Sequence, residues 1–248
     1  MNFYVMTLFP EMIEQGMNTS ITGRAIAKGL LSLKTVNIRD YSVTGNGRID
    51  DYPYGGGAGM VMQAEPIYRA YEDLKARIQG NSDAQVCPRV IYLTPQGRVF
   101  HQNMAQEFAK EENLIFLCGH YEGVDERVIE SIVTDQVSIG DYVLTGGELP
   151  AMVMMDAISR MVPGVLSNAE SGQSESFSDH LLEYPQYSRP EVWRDRPVPP
   201  VLLSGHHGKV DRWHREQSLL RTLQNRPELL KEADLDKTDI AFLESLSK

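Results

Sequence analysis

Three ionisable side chains in the second half of the chain are of the types that could carry acid–base or charge-stabilising chemistry. Glu175 lies in a polar, serine-rich segment, and Asp179 follows four residues later. A carboxylate in such a segment is usually only solvated, but it can act as a general base beside a bound substrate. Arg160 ends an otherwise apolar helical pattern, where a cation either extends to solvent or points into a site. The residue types alone leave both alternatives open.

Two glycine-containing segments follow short apolar runs and precede helical patterns, namely residues 118–123 and 138–150. Glycine lets main-chain N–H and C=O groups approach a ligand that a side chain would push away. Two such segments close in sequence predict one pocket whose ligand lies against backbone. A third glycine-rich segment, residues 55–59, is not followed by Lys-Ser or Lys-Thr, so it is not a Walker-type phosphate loop.

Alternating strand and helix patterns must position these segments. Short apolar runs predict strands at residues 3–9, 36–41, 90–93, 114–117 and 136–139. Helices are predicted at residues 12–33, with an interruption near 18–20, and at 65–78, 104–110, 124–132 and 149–161. Short buried strands that alternate with helices indicate an α/β fold with a mostly parallel sheet.

The composition changes after Gly164. Residues 167–174 are polar and serine-rich, which predicts a flexible linker. The proline-rich residues 184–200 predict ordered extended chain, and helices are predicted at 210–223 and from 227 onwards. We therefore predict an N-terminal domain of residues 1–166 and a small helical C-terminal domain of residues 175–248.

Charge and cysteine content limit the classes of function. The net charge of −10 argues by itself against nucleic acid, but residues 209–231 carry six cations and three acids. That stretch is equally compatible with an RNA-binding surface and a solvated helix face. No apolar run approaches the ~20 residues of a membrane span, and two cysteines predict a reduced cytoplasmic location. His206 and His207 lack a third ligand at suitable spacing, so no metal site is predicted.

Several segments together resemble the bacterial tRNA (guanine-N1)-methyltransferase family of knotted (SPOUT) methyltransferases. They are residues 54–62, 92–97, 118–127, 138–150, 184–191 and 198–207. The resemblance implies a trefoil knot in the second half of the N-terminal domain, a rare connectivity. It also implies a homodimer whose active site is built from both subunits. The implied reaction transfers a methyl group from S-adenosylmethionine to N1 of the guanine at position 37 of tRNA, next to the anticodon.

The resemblance assigns S-adenosylmethionine to three loops after predicted strands, where backbone amides and apolar walls would hold it. Glu122 would face the cationic part of the cofactor. The implied cofactor-binding residues are Tyr92, Leu93, Thr94, Gly119, Tyr121, Glu122, Gly123, Ser138, Ile139, Gly140, Tyr142, Leu144, Gly146, Gly147 and Pro150. The sequence leaves open whether Mg²⁺ takes part and how strictly the neighbouring tRNA base is read.

Methylation at guanine N1 requires a base to remove its proton and a cation to stabilise charge that develops toward O6. The family pattern assigns the second role to Arg160. The family's base is an aspartate in an Asp-Ser-Phe motif, which here is Glu175-Ser176-Phe177. Glutamate has similar acidity but one more methylene, so Asp179 is the alternative base. His120 also departs from the pattern, because it replaces an expected arginine.

The resemblance also implies that the C-terminal domain binds tRNA. The predicted phosphate contacts are Arg189, Lys209, Arg212 and Arg215, and Trp213 is either a core residue or a stacking platform. Two other functions compete with the main one. They are a ribose 2′-O methyltransferase of the same fold and a non-catalytic RNA- or nucleotide-binding protein, the latter favoured only by Glu175 in place of aspartate.

Overall fold

The computed structural model describes residues 1–80, 87–166, 175–177 and 179–246. The chain divides into two compact units, Met1–Ser167 and Asn168–Lys248. The predicted linker, residues 167–174, lies outside the described residues. The domain boundaries therefore stay a prediction. In the part of the chain that the structure describes, no helix combines the length and the apolar character needed to cross a bilayer.

The first unit is an α/β structure. Its strands are β1 (Asn2–Thr7), β2 (Ser32–Asn37), β3 (Asp50–Asp51), β4 (Val61–Met62), β5 (Arg89–Val99), β6 (Asn113–Cys118) and β7 (Asp135–Ser138). Its α-helices are α1 (Pro10–Met17), α2 (Ser20–Ala27), α3 (Ala64–Gln79), α4 (Gln102–Phe108), α5 (Glu126–Ile132) and α6 (Glu148–Ser159). Five strands form a parallel sheet in the order β2-β1-β6-β5-β7. The predicted α/β class with a mostly parallel sheet is confirmed.

The central strands are buried on both faces because successive apolar side chains point to opposite sides of the sheet. In β1, Phe3 and Val5 pack on one face, against α1, α4 and α6. Tyr4 and Met6 pack on the other face, against α3 and α5. The two layers of helices leave the carboxyl ends of the strands as the edge where loops can form a site.

Two strand predictions were wrong in their bounds. Residues 94–97 do not end β5, which continues to Val99 with a register shift between Leu93 and Arg98 against β7. β6 pairs with β5 only as far as Leu93. Pro95, which has no N–H to donate, therefore lies beyond the part of β5 that pairs with β6. The second strand lies at Ser32–Asn37, not at residues 36–41. A 3₁₀ helix, Ile38–Tyr41, follows it.

The second unit contains short elements around one long helix. They are β8 (Val192–Trp193), β9 (Arg196–Pro197), α7 (Pro200–Leu203), α8 (His207–Asn225), a 3₁₀ helix Pro227–Lys231 and α9 (Lys237–Ser245). The carboxylate of Asp239 is buried and accepts hydrogen bonds from Arg212 (3.1 Å) and Arg215 (2.9 Å). Arg212 and Arg215, two of the four predicted phosphate contacts, thus serve the packing of this unit. Trp213 is half-buried and packs against the rings of Tyr187 and His214.

The buried carboxylate of Asp135 ties β7 to β5. It accepts hydrogen bonds from Arg89 Nε (2.8 Å), Arg89 Nη2 (3.0 Å) and Thr134 Oγ1 (2.7 Å). Burial raises the pKa of Asp135, but the bonds from Arg89 and Thr134 outweigh it and hold the pKa below its usual value. Because the folded-state pKa is the lower one, this stabilisation is present above the unfolded-state pKa of about 4. It is lost as pH falls through the folded-state pKa.

We expect Asp135→Asn to lower the free energy of unfolding at pH 7 by about 2 kcal/mol, because charge-assisted bonds from Arg89 are weakened. Urea unfolding from pH 7 down to about pH 3 should show the difference between wild type and variant shrinking with acidification. Glu107→Gln is the matched control, because Glu107 also bonds to Arg89 but is half exposed. It should cost less than about 1 kcal/mol. A loss in Asp135→Asn that does not change with pH would contradict this account.

Candidate active site

Three loops meet at the carboxyl edge of the sheet. The first is the irregular segment of β5 after Leu93, where its register shifts against β7, and the other two follow the ends of β6 and β7. The strands β6, β5 and β7 are adjacent and parallel. The loops surround a cavity of about 520 Å³. A position at the carboxyl ends of parallel strands is where α/β sheets generally bind ligands.

All the residues predicted to bind the cofactor line this cavity. Sequence reasoning missed several further lining residues. They are Pro95, Gln96, His120, Val124, Glu126, Ile129, Val137, Val143 and Thr145. Most of them lie within the same three motifs, so the signal was present. The residues that were missed include apolar ones such as Val124 and Ile129 as well as polar ones such as Gln96 and His120.

Close backbone contacts hold the second and third loops together. The N–H of Gly147 donates to the carbonyl of Gly119 at 3.1 Å. A Cβ atom at Gly147 would lie 2.7 Å from the Cα of Cys118, so only glycine fits there. Cys118 is fully buried, and burial raises the pKa of its thiol well above the usual value. The arrangement is a backbone cradle, with no reactive thiolate beneath it.

The glycine-rich segment of residues 55–59 packs beside the second loop. The N–H of Glu122 donates to the carbonyl of Met60 at 2.9 Å. Gly59 has a φ of +86°, and a Cβ atom there would lie 2.4 Å from Glu122 Oε1. The segment therefore borders the cavity through Glu122.

The two predicted catalytic residues do not join this cavity within the first unit. Arg160 is the C-cap residue of α6 and lies ten residues beyond Pro150, which corresponds to about 15 Å along the helix axis. It lines a separate cavity of about 290 Å³ beside α1 and α2. Glu175 belongs to the second unit.

Asp179, the alternative base, has a strong partner inside the second unit. Its carboxylate accepts a hydrogen bond from Arg215 Nη1 at 2.6 Å. The carboxylate of Asp179 is thus held in an ion pair within its own unit. Next to Glu175, the hydroxyl of Ser176 accepts a bond from the N–H of Glu183 at 3.0 Å. Among the described residues, no group of three or more His, Cys, Asp or Glu side chains could hold a metal ion.

Comparison with known proteins gives one consistent result. Residues 1–232 match the family described as tRNA (Guanine-1)-methyltransferase TrmD. A protein named tRNA (guanine-N(1)-)-methyltransferase from Lachnoclostridium phytofermentans is 59% identical over 266 residues, covering 99% of this chain and 97% of its own. Proteins of the same name from Lachnospira eligens and Staphylococcus epidermidis are 61% and 50% identical, covering 94% and 98% of this chain and 96% of their own.

Proposed function

The chain belongs to the tRNA (guanine-N1)-methyltransferase family, and from that premise we propose that it methylates N1 of guanine in tRNA, at position 37, with S-adenosylmethionine as the methyl donor. The observation that carries the proposal is the meeting of three glycine-containing loops around one cavity at the carboxyl edge of the sheet. The family relationship supplies the reaction and the cavity supplies a place for the donor. By the same relationship we propose that these loops form a trefoil knot.

The cavity suits S-adenosylmethionine in size and chemistry. Its volume of about 520 Å³ is in the range of small-molecule sites, and five glycines expose backbone in its lining. Glu122 places a carboxylate at its rim, where it can face a cationic sulfonium. Exposed Tyr142 and Leu144 offer apolar surface for the adenine. When bound, the cofactor would supply an electrophilic methyl group to the guanine.

We propose that the working enzyme is a homodimer, because Arg160 lies too far along α6 to reach the cavity of its own first unit. A second subunit can supply the arginine instead. Apolar side chains on the surface offer an interface for it. Leu149 and Val153 are exposed one turn apart on α6, and Phe9 and Met12 are exposed at the start of the adjacent helix α1. A twofold axis would bring the same patch of both subunits together.

In this scheme Glu175 removes the proton from guanine N1, and Arg160 stabilises the charge that develops at O6. We propose that the second unit binds tRNA. Arg189 and Lys209 are exposed there, whereas Arg212 and Arg215 are held by Asp239. We expect the two exposed cations to contact phosphates, and we no longer assign that role to the two held arginines.

Methyl transfer to an unmodified tRNA transcript with guanine at position 37 tests the reaction. We expect methylation that stops reverse transcriptase at that nucleotide, because a methyl group on N1 blocks base pairing. A transcript with adenine at position 37 is the matched control and should give no stop. Methylation without a stop would indicate ribose 2′-O transfer. Calorimetric binding of S-adenosylmethionine without turnover would indicate a non-catalytic binding protein, and either result would overturn the proposal.

A further inference from the structure

A buried carboxylate connects the cavity loops to the first strand. Glu148 is the first residue of α6, and its side chain is only 3% exposed. Its Oε1 accepts a hydrogen bond from Thr7 Oγ1 at 2.6 Å. The same carboxylate lies 2.7 and 2.9 Å from Nε2 of His120. The carboxylate therefore joins the end of β1, the second loop and the start of α6.

His120 is the only partner of Glu148 in this group that lines the cavity. Its side chain is 15% exposed, and its ring packs edge-on against Phe9 with the centroids 5.1 Å apart. An ionised carboxylate only accepts hydrogen bonds, so with Glu148 ionised the donor of this pair is Nε2 of His120. The orientation of the imidazole beside the cavity is thus set by a residue on another element.

The third loop leaves no space around this pair. A Cβ atom at Gly146 would lie 2.3 Å from Cε1 of His120 and 2.7 Å from Oε2 of Glu148. The backbone of Gly146 therefore runs directly against the two bonded side chains. A change in the position of His120 would have to be accommodated by both cavity loops at once, because packed groups of this kind do not deform continuously.

From these contacts we propose that His120, held by Glu148, is a positioning residue that fixes the second and third loops of the cavity in their ligand-binding arrangement. The inference rests on the proposed use of the cavity for S-adenosylmethionine. His120 acts on the loops and is not itself a catalytic group. The family pattern has an arginine at the position of His120. The histidine retains one hydrogen-bond donor toward Glu148. An arginine at this position could make the same bond with its longer side chain.

The test measures the Kd for S-adenosylhomocysteine by calorimetry, the KM for S-adenosylmethionine, kcat and the Kd for tRNA. We expect His120→Ala and Glu148→Gln each to raise the Kd for S-adenosylhomocysteine about tenfold, since a charge-assisted hydrogen bond is lost. The Kd for tRNA should not change. The double variant should be no weaker than the worse single variant, because both changes remove one interaction. His120→Arg should restore most of the affinity.

His101→Ala is the matched control, because His101 is an exposed histidine of the same unit. It should leave every constant unchanged. An unchanged Kd in His120→Ala, additive losses in the double variant, or equal losses of cofactor and tRNA affinity with a lower Tm would overturn the inference. If Glu148→Gln fails to fold, His120→Ala and its rescue by arginine still decide the matter. Failure of the wild type to bind S-adenosylhomocysteine would instead contradict the proposed function.

Discussion

Glu175→Gln is expected to lower kcat by about 10³-fold while the Kd for S-adenosylmethionine stays within about twofold of wild type. Glutamine keeps the size and hydrogen-bonding shape of the side chain, but its amide cannot take up the proton of guanine N1. The cavity assigned to the cofactor belongs to the first unit, whereas Glu175 belongs to the second. Single-turnover methyl transfer to a tRNA transcript, paired with calorimetry, separates the two quantities.

Asp179→Asn is the matched control for this prediction. Asp179 is already bonded to Arg215, so its replacement should leave kcat within a few-fold of wild type. Glu175→Asp restores the residue expected from the family and reports the effect of the extra methylene on the placement of the base. Full turnover in Glu175→Gln together with loss of turnover in Asp179→Asn would transfer the role of base to Asp179.

Arg160→Ala is expected to lower kcat by about 10²-fold or more, with a change of less than about threefold in the Kd for tRNA. The reason is that negative charge develops at O6 in the transition state, so the guanidinium stabilises the transition state more than it stabilises bound tRNA. Arg160→Lys should recover part of the loss, because lysine supplies a point charge without the planar fork. Arg69, exposed on α3 and paired with Glu65, provides a control that should show no effect when changed to alanine. Equal losses in kcat and tRNA affinity would make Arg160 a binding residue.

Subunit complementation tests whether Arg160 acts across the proposed dimer. Gly147→Val should close the cavity, because a Cβ atom there meets the backbone of Cys118 and Gly119. Dimers of Arg160→Ala alone or Gly147→Val alone should each be inactive. Mixing the two after dissociation should restore about a quarter of wild-type activity, since half of the dimers are then mixed and each has one intact site. No recovery, with mixed dimers shown by mass spectrometry, would place Arg160 and the cavity in the same subunit.

The location of the cavity follows from local signals in the chain. Apolar runs predicted strand residues up to about Leu93, Cys118 and Ser138, and glycines marked the segments that follow them. Because strands in a parallel sheet share one carboxyl edge, the three loops had to meet once those strands were neighbours. All the residues predicted to bind the cofactor consequently line one cavity.

The errors concern partners that are distant in sequence. β5 continues past Pro95 because Arg98 and Val99 pair with Val137 and Ser138 of β7, which no pattern within residues 90–99 can indicate. In the same way, the sequence predicted Arg212 and Arg215 to be available for phosphates. In the structure both form ion pairs with Asp239, which lies more than 20 residues away along the chain. Propensity and periodicity describe neighbours along the chain, whereas the end of a strand or the partner of a cation depends on what packs beside it.

The sequence by itself therefore determined the α/β class, the family and the three loops, because these depend on residue types at short spacing. Only the tertiary structure decided that His120 is bonded to Glu148 and that Arg160 lies about 15 Å along α6 from the cavity. Both are long-range consequences of how α6 packs against β1 and β6. Glu148 and Arg160 sit at the two ends of one helix, so the packing that buries the first beneath the loops also carries the second away from them.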